Sequence, residues 1–163
     1  MKAVTIFGSN SGDKKALILE AIECLKKVGS IVSSSSFYET EPWGFCCEEH
    51  FLNQITVFET PLSPIDFLKT CLEIEQQLGR VRTENGPRYC SRPIDIDLLF
   101  CDEQIIQTTE LTLPHPRIQE RNFVLIPLAE IMPDFLHPTL GKNIFQLLNE
   151  SVDLLKVKKV TTD

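Results

Sequence analysis

All six arginines of the chain, Arg80, Arg82, Arg88, Arg92, Arg117 and Arg121, fall between positions 80 and 121, and that interval contains no lysine. A guanidinium presents a planar fork that holds two phosphate oxygens at once, which an ammonium cannot, so an arginine-only cluster in an acidic chain points to a polyphosphate ligand. Asp95-Ile96-Asp97 lies inside the same interval, and His115 follows it. On a strand the two carboxylates share a face about 6–7 Å apart. Like charges so placed repel, and either solvent or a cation must relieve them. Mg²⁺ suits the pair because it takes carboxylate oxygens together with substrate phosphates. The plainer alternative is a solvated sheet face beside ordinary surface arginines.

Gly79 to Pro93 carries four of the arginines together with Gly86 and Pro87, the composition of a lid that could close Arg82, Arg88 and Arg92 over bound phosphates. A second constellation is apolar: Trp43 and Phe51 flank a loop, Asn53 stands beside Phe51, and Phe123 lies further on. A flat heteroaromatic ring could stack between two phenylalanines while Asn53 and backbone amides read its edge, although core packing is the commoner use of such aromatics. Gly8-Ser9-Asn10-Ser11-Gly12 lacks the closing Gly-Lys-Ser/Thr of a P-loop. It also lies too far upstream of the aspartates to form the local Gly-Ser unit of a nucleotidyltransferase.

Sixteen Lys+Arg against 23 Asp+Glu leave a net charge of −7, which argues against a nucleic-acid binder. None of the six cysteines forms a CxxC pair, and adjacent Cys46 and Cys47 with His50 make an awkward zinc set, so free thiols in a reducing compartment are expected. No apolar run approaches a membrane span, and Met1 to Phe7 is too short for a secretion signal. A soluble, cytoplasmic protein follows as the expectation.

Positioning these side chains requires a sheet. Val4 to Phe7 reads as a buried strand, followed by a helix with apolar residues from Leu17 to Val28, N-capped by Asp13 and closed by Gly29. Ile31 to Thr40 reads as a second strand, and Phe51 to Glu59 as a third with Phe51, Asn53, Ile55 and Val57 on one face. Pro61 and Pro64 open a helix carrying Ile65, Leu68, Leu72 and Leu78. A fourth strand puts Ile94, Ile96, Leu98 and Phe100 on one face and both aspartates on the other. The order predicts an α+β protein with a ferredoxin-like βαββαβ core, and Phe123 to Ile131 and Ile144 to Leu148 add a C-terminal helical extension. At 163 residues the chain suits a single domain over 1–163, with a tail from about 151 expected to fray.

Gly79-Arg80-Val81-Arg82, Gly86-Pro87-Arg88, Ser91-Arg92-Pro93-Ile94-Asp95-Ile96-Asp97-Leu98-Leu99, Pro114-His115-Pro116 and Arg121-Asn122-Phe123-Val124-Leu125 resemble, in order and spacing, the hydroxymethyldihydropterin pyrophosphokinases of folate synthesis. So do Gly8-Ser9-Asn10, Tyr38 to Gly44 and Phe51-Leu52-Asn53. The resemblance implies transfer of pyrophosphate from ATP to the hydroxymethyl group of a dihydropterin, with release of AMP. It implies that Asp95 and Asp97 hold a pair of Mg²⁺ ions and, with Arg82 and Arg92, carry catalysis. It gives the nucleotide Leu68, Glu75, Arg82, Arg88, Arg92, Leu98, Thr112, His115 and Arg121. The pterin falls to Thr40, Glu41, Trp43, Phe51, Asn53, Asp95 and Phe123. Three departures are visible: Phe51 replaces a frequent tyrosine, Tyr89 supplies the aromatic of the lid, and Glu110 stands where some members carry a basic residue. Partners would be these small molecules and, through coupling or fusion, neighbouring folate enzymes. A non-catalytic, nucleotide-binding regulatory module of the same fold is the competing reading.

Overall fold

The computed structural model describes residues 1–41, 50–79 and 93–161. Strand β1 (Lys2–Ser9) is buried from Ala3 to its end because partners cover both its edges and both its faces. Helix α1 (Lys14–Leu25) follows, with Asp13 Oδ1 accepting from the Ala16 N–H at 3.2 Å as the expected N-cap. The helix stops at Leu25, short of the expected Val28, and Gly29 does not close it with a left-handed turn. Glycine is needed there for another reason: a Cβ would lie 2.8 Å from the Glu59 carbonyl oxygen.

The single strand expected over Ile31 to Thr40 is two, β2 (Ser30–Ser34) and β3 (Tyr38–Thr40), both antiparallel to β4 (Phe51–Glu59). Ser35 makes the break. Its N–H donates to the Ile55 carbonyl at 2.8 Å while its hydroxyl accepts the Ile55 N–H at 2.9 Å, so a side chain takes a place in the ladder. Helix α2 (Pro64–Gln77) starts at Ser63, whose hydroxyl accepts the Asp66 N–H at 3.2 Å. Its buried face is Phe67, Cys71 and Ile74; Leu68 packs at the margin of that core, and Leu72 is exposed.

β5 (Asp95–Cys101) pairs antiparallel with β1 and forms one edge of a sheet ordered β5-β1-β4-β3-β8. A short hairpin, β6 (Ile106–Gln107) and β7 (Thr112–Leu113), leads through a cis Leu113–Pro114 bond and a 3-10 turn (Ile118–Glu120) to α3 (Asn122–Ile131) and α4 (Ile144–Glu150). Where fraying was expected, β8 (Val157–Lys159) lies antiparallel to β3. Two cores result, one on each face of the sheet. The α1 and α2 layer closes over Phe7, Phe58 and Phe67, and the α3 and α4 layer over Ile55, Leu99 and Phe100.

β5 departs from simple alternation. Thr5 pairs with Leu98 and Val4 with Phe100, so Leu99 is an extra residue and the parity flips beyond it. Phe100 therefore belongs to the α3 side with Leu99, not to the face of Ile94, Ile96 and Leu98 where alternation put it. No described helix is long and apolar enough to cross a membrane.

Because the obstacle at Gly29 is backbone, Gly29→Ala should destabilise the chain by about 1–3 kcal/mol through forced displacement of the β4 terminus. Urea unfolding of the two proteins checks this: an unchanged midpoint would show that the gap accommodates a methyl group.

Candidate functional site

Antiparallel register places Asp95 of β5 opposite Gly8 of β1, and Gly8 opposite Asn53 of β4. Directly opposed residues point to the same face, so a carboxylate and a carboxamide flank a position with no side chain. A Cβ on Gly8 would lie 2.9 Å from Asn53 Oδ1, 3.8 Å from Phe51 Cδ1 and 4.0 Å from Asp95 Cβ. Glycine thus leaves a hollow whose walls are Asp95, Asn53 and Phe51. Asn53 is buried, and its Nδ2 donates to Thr40 Oγ1 at 3.2 Å, which fixes the amide. Thr40 stands opposite Phe51 at the end of β3. Phe123, in the first turn of α3, packs against the core on this same face, with the Arg121 guanidinium 5.5 Å from its ring centre.

Two residues further along β5, Asp97 lies opposite Ile6, on the same face as Asp95. Both aspartates are half-buried, and both are engaged within the fold. Beside them a cleft of about 610 Å³ runs along the outer edge of β5. Leu68, Leu72 and Glu75 of α2 form one wall; Thr112, His115 and Arg121 belong to the other. Leu68 and Leu72 give this cleft an apolar wall. Glu75 is buried, and its Oε2 accepts the Ile96 N–H at 3.1 Å, tying α2 to the residue between the two aspartates.

The far wall carries His115, Arg117 and Arg121 together with Glu110. Burial, then the neighbouring Arg121 and Arg117, push His115 down from 6.5 to about 4, with Asp95 opposing. Its Nδ1 accepts the Arg117 N–H at 3.3 Å, which leaves Nε2 to carry the proton of the neutral ring as a donor. Burial and Arg117 likewise lower Arg121, held up by Asp97 among others. Arg117, Arg121 and a neutral imidazole donor face Asp95 and Asp97 in a cleft that Glu75 and Glu110 also line, so an anion there would need a hard cation between it and the carboxylates. Among the described residues no group of three or more His, Cys, Asp or Glu could hold a metal ion alone, so further oxygen ligands for Mg²⁺ at Asp95 and Asp97 would come from phosphate and water.

The structure thus brings Leu68, Glu75, Asp95, Asp97, Leu98, Thr112, His115 and Arg121 together at the cleft. It brings Thr40, Phe51, Asn53 and Asp95 together around Gly8. Glu41 lies just past Thr40, bonded to Lys156. Arg82, Arg88, Arg92, Trp43 and Tyr89 lie outside the described residues. Sequence reasoning missed Leu72 and Leu111 as cleft residues and Gly8 as the floor of the hollow. Leu72 gave no signal, because it shares its helical spacing with core positions.

The chain is a mixed α/β protein with carboxylates beside an edge cleft, and comparison with known proteins gives the family. The model of the 7,8-dihydro-6-hydroxymethylpterin-pyrophosphokinase family matches residues 4–133. The chain is 44% identical over 133 residues to the 2-amino-4-hydroxy-6-hydroxymethyldihydropteridine pyrophosphokinase of Porphyromonas gingivalis, covering 80% of this chain and 90% of that one. It is 44% identical over 135 residues to the folic acid synthesis protein FOL1 of Dictyostelium discoideum, covering 82% of this chain but 20% of that longer protein. Among solved structures, wild-type HPPK-DHPS of Plasmodium falciparum aligns with a TM-score of 0.71 at 17% identity, over 91% of this chain and 44% of that one. An HPPK-DHPS in complex with substrates aligns at 0.65 and 20% identity, over 91% and 43%. These structural likenesses bear on the fold.

The chain belongs to the 7,8-dihydro-6-hydroxymethylpterin-pyrophosphokinase family. It is a pyrophosphokinase, a transferase, and the non-catalytic reading is set aside.

The lowered His115 has a consequence for acid stability. Between pH 6.5 and about 4 the unfolded state binds this proton and the folded state does not, so stability falls as pH drops through that window. Above 6.5 the penalty is absent, and below about 4 it is complete. Urea midpoints measured from pH 7 to 4 should therefore decline less steeply in His115→Gln than in the wild type; parallel slopes would rule the effect out.

Proposed function

We propose that this chain catalyses Mg²⁺-dependent transfer of the terminal pyrophosphate of ATP to 6-hydroxymethyl-7,8-dihydropterin, giving AMP and the pterin diphosphate. The observation that carries the reading is the position of Asp95, which is both a wall of the Gly8 hollow and part of the β5 edge cleft. A flat heteroaromatic ring in the hollow and a nucleotide in the cleft would meet at this carboxylate. Asn53 would read the polar edge of the pterin, and Phe51 and Phe123 would stack on its faces. Leu68, Leu98 and Thr112 would line the nucleotide, with Glu75 beside them.

The pterin hydroxymethyl oxygen attacks the β-phosphorus, the bond from that phosphorus to the α,β-bridging oxygen breaks, AMP leaves with the bridging oxygen, and the hydroxyl proton passes to solvent. A pair of Mg²⁺ ions held by Asp95 and Asp97 with phosphate oxygens would supply neutralisation of the charge gathering on the phosphates. His115 would donate from Nε2 to a phosphate oxygen, and Arg121 would hold another through its fork. Arg82, Arg88 and Arg92 would close on the same phosphates, with Arg82 and Arg92 taking the catalytic share. Transfer of this kind rests on positioning and charge compensation, so no dedicated general base is required.

The chain acts in this reading as one unit over 1–163. With β2 and β3 counted as one broken strand, the order β5-β1-β4-β2/β3 supports reading the sheet as a ferredoxin-like core, with α3, α4 and β8 as its C-terminal extension. Trp43, which lies outside the described residues, and the backbone near Glu41 would complete the pterin contacts. The partners are small molecules rather than nucleic acid or membrane, and the setting is the cytoplasm. Solved HPPK-DHPS structures that share this fold support association with a neighbouring folate enzyme.

An AMP-release assay with ATP, Mg²⁺ and the hydroxymethyldihydropterin tests the reaction directly; no AMP above the pterin-free control would overturn it. Asp97→Ala should stay folded and fall to less than about a tenth of the wild-type rate, since removing a carboxylate also removes like-charge repulsion. A folded variant with higher activity would exclude the metal role.

Asn53→Ala should weaken pterin binding by about 1–3 kcal/mol by leaving a polar edge unpartnered, and leave ATP binding unchanged. Equal losses for both ligands in separate titrations would contradict the division into two subsites.

A further inference from the structure

The family match ends at residue 133, yet the chain beyond it bonds both to the first turn of α3 and to the end of β3. Helix α3 presents its first turn toward the site, with Arg121 as N-cap and Phe123 one residue inside, but Arg121 makes no side-chain capping bond. The cap comes from 31 residues downstream. Asp153 Oδ2 accepts the Asn122 N–H at 2.8 Å, and the Asp153 carbonyl accepts Asn122 Nδ2 at 3.2 Å. The other carboxylate oxygen, Oδ1, accepts the Leu155 N–H at 3.0 Å, and the Ser151 hydroxyl accepts the Asp153 N–H at 3.2 Å. A carboxylate at a helix N-terminus also gains from the aligned peptide dipoles. Asn122 is thus held at two points, with the two residues proposed to touch phosphate and pterin on either side of it.

The same segment then crosses to the opposite wall. The Lys156 N–H donates to Glu41 Oε1 at 2.8 Å, and the Glu41 N–H donates to the Lys156 carbonyl at 3.4 Å. Val157 pairs with Thr40, the residue whose hydroxyl holds Asn53. Residues 153–157 therefore bridge α3, which carries Phe123, to the end of β3, which carries Thr40 and Glu41. Side chains in this stretch alternate, with Val152 and Leu154 90% and 93% exposed and Asp153 turned in. The β3 ladder and Val160, packed against the α1 and α2 core, fix the far end of the segment, and the hydrogen bonds of Asp153 and Lys156 fix the exposed stretch before it.

We propose that the segment 151–160 is a strap setting the spacing between the two walls of the aromatic slot, with Asp153 as its positioning residue. Asp153 does not touch substrate; it acts through Asn122 on the orientation of Phe123 and Arg121. The inference rests on the reading of the slot as the pterin subsite.

The test compares wild type with Asp153→Ala and Asp153→Asn, measuring AMP release and titrating pterin and ATP separately at a temperature where circular dichroism shows each protein folded. Asp153→Ala should raise the pterin Kd at least about fivefold, the scale of a lost helix cap, with a smaller change for ATP. Asp153→Asn keeps one of the two acceptor oxygens, enough for the Asn122 N–H, and should recover most of the affinity. If Asp153→Ala does not fold, Asp153→Ser, whose hydroxyl is too short to reach Asn122, takes its place with the same expectation. A lowered melting temperature with an unchanged pterin Kd would overturn the strap and leave Asp153 a purely stabilising cap. Absence of pterin binding and AMP release in the wild type would instead overturn the function on which the strap depends.

Discussion

Three strands meet at a position where the middle one has no side chain, and the site depends on that gap. Asp95, Gly8 and Asn53 form one row across β5, β1 and β4, and any Cβ on the central residue would meet Asn53 Oδ1 at 2.9 Å. Neighbouring strands lie about 4.8 Å apart, so the two flanking polar groups stand roughly 10 Å apart at their backbones, a span suited to a flat bicyclic ring. β1 can carry such a gap because it is otherwise the most fully covered strand, paired on both edges and buried from Ala3 to Ser9. The cost in local packing falls on the element best able to bear it.

The two helical layers have different tasks. The α1 and α2 layer builds a core around Phe7, Phe58 and Phe67 and contributes to the site only along one side of α2, through Leu68, Leu72 and Glu75. The α3 and α4 layer stands over the face that carries both aspartates, Gly8 and Asn53, and its first turn brings in Arg121 and Phe123. The bulge at Leu99 lets β5 serve both layers. Upstream of it the aspartates occupy alternate positions, and at it Leu99 and Phe100 both enter the α3 core.

The parts of the site that were legible in the sequence are those set by local rules. The two aspartates share a face because strand side chains alternate, and Phe51, Asn53, Ile55 and Val57 share theirs for the same reason. The Asp13 cap and the proline start of α2 follow from short-range hydrogen bonding and backbone geometry. The features that were not legible depend on partners remote in sequence. Nothing local marks Leu99 as an extra residue, Gly29 as a spacer against Glu59, or Ser35 as a side-chain member of the ladder. The cap on α3 was invisible because its carboxylate lies 31 residues from the backbone it serves, in a polar stretch whose composition reads as a loose end.

β5 ends the sheet, and an unpaired strand edge is ordinarily a template on which another chain can add itself. Here the edge is already in use. Glu75 occupies the Ile96 N–H and the His115 N–H occupies the Leu99 carbonyl, so an approaching strand finds its ladder interrupted between the aspartates and again two residues past Asp97. The contacts that shape the cleft therefore also protect the chain from polymerising through its own active edge, and loss of Glu75 would expose a route to aggregation as well as altering a binding wall.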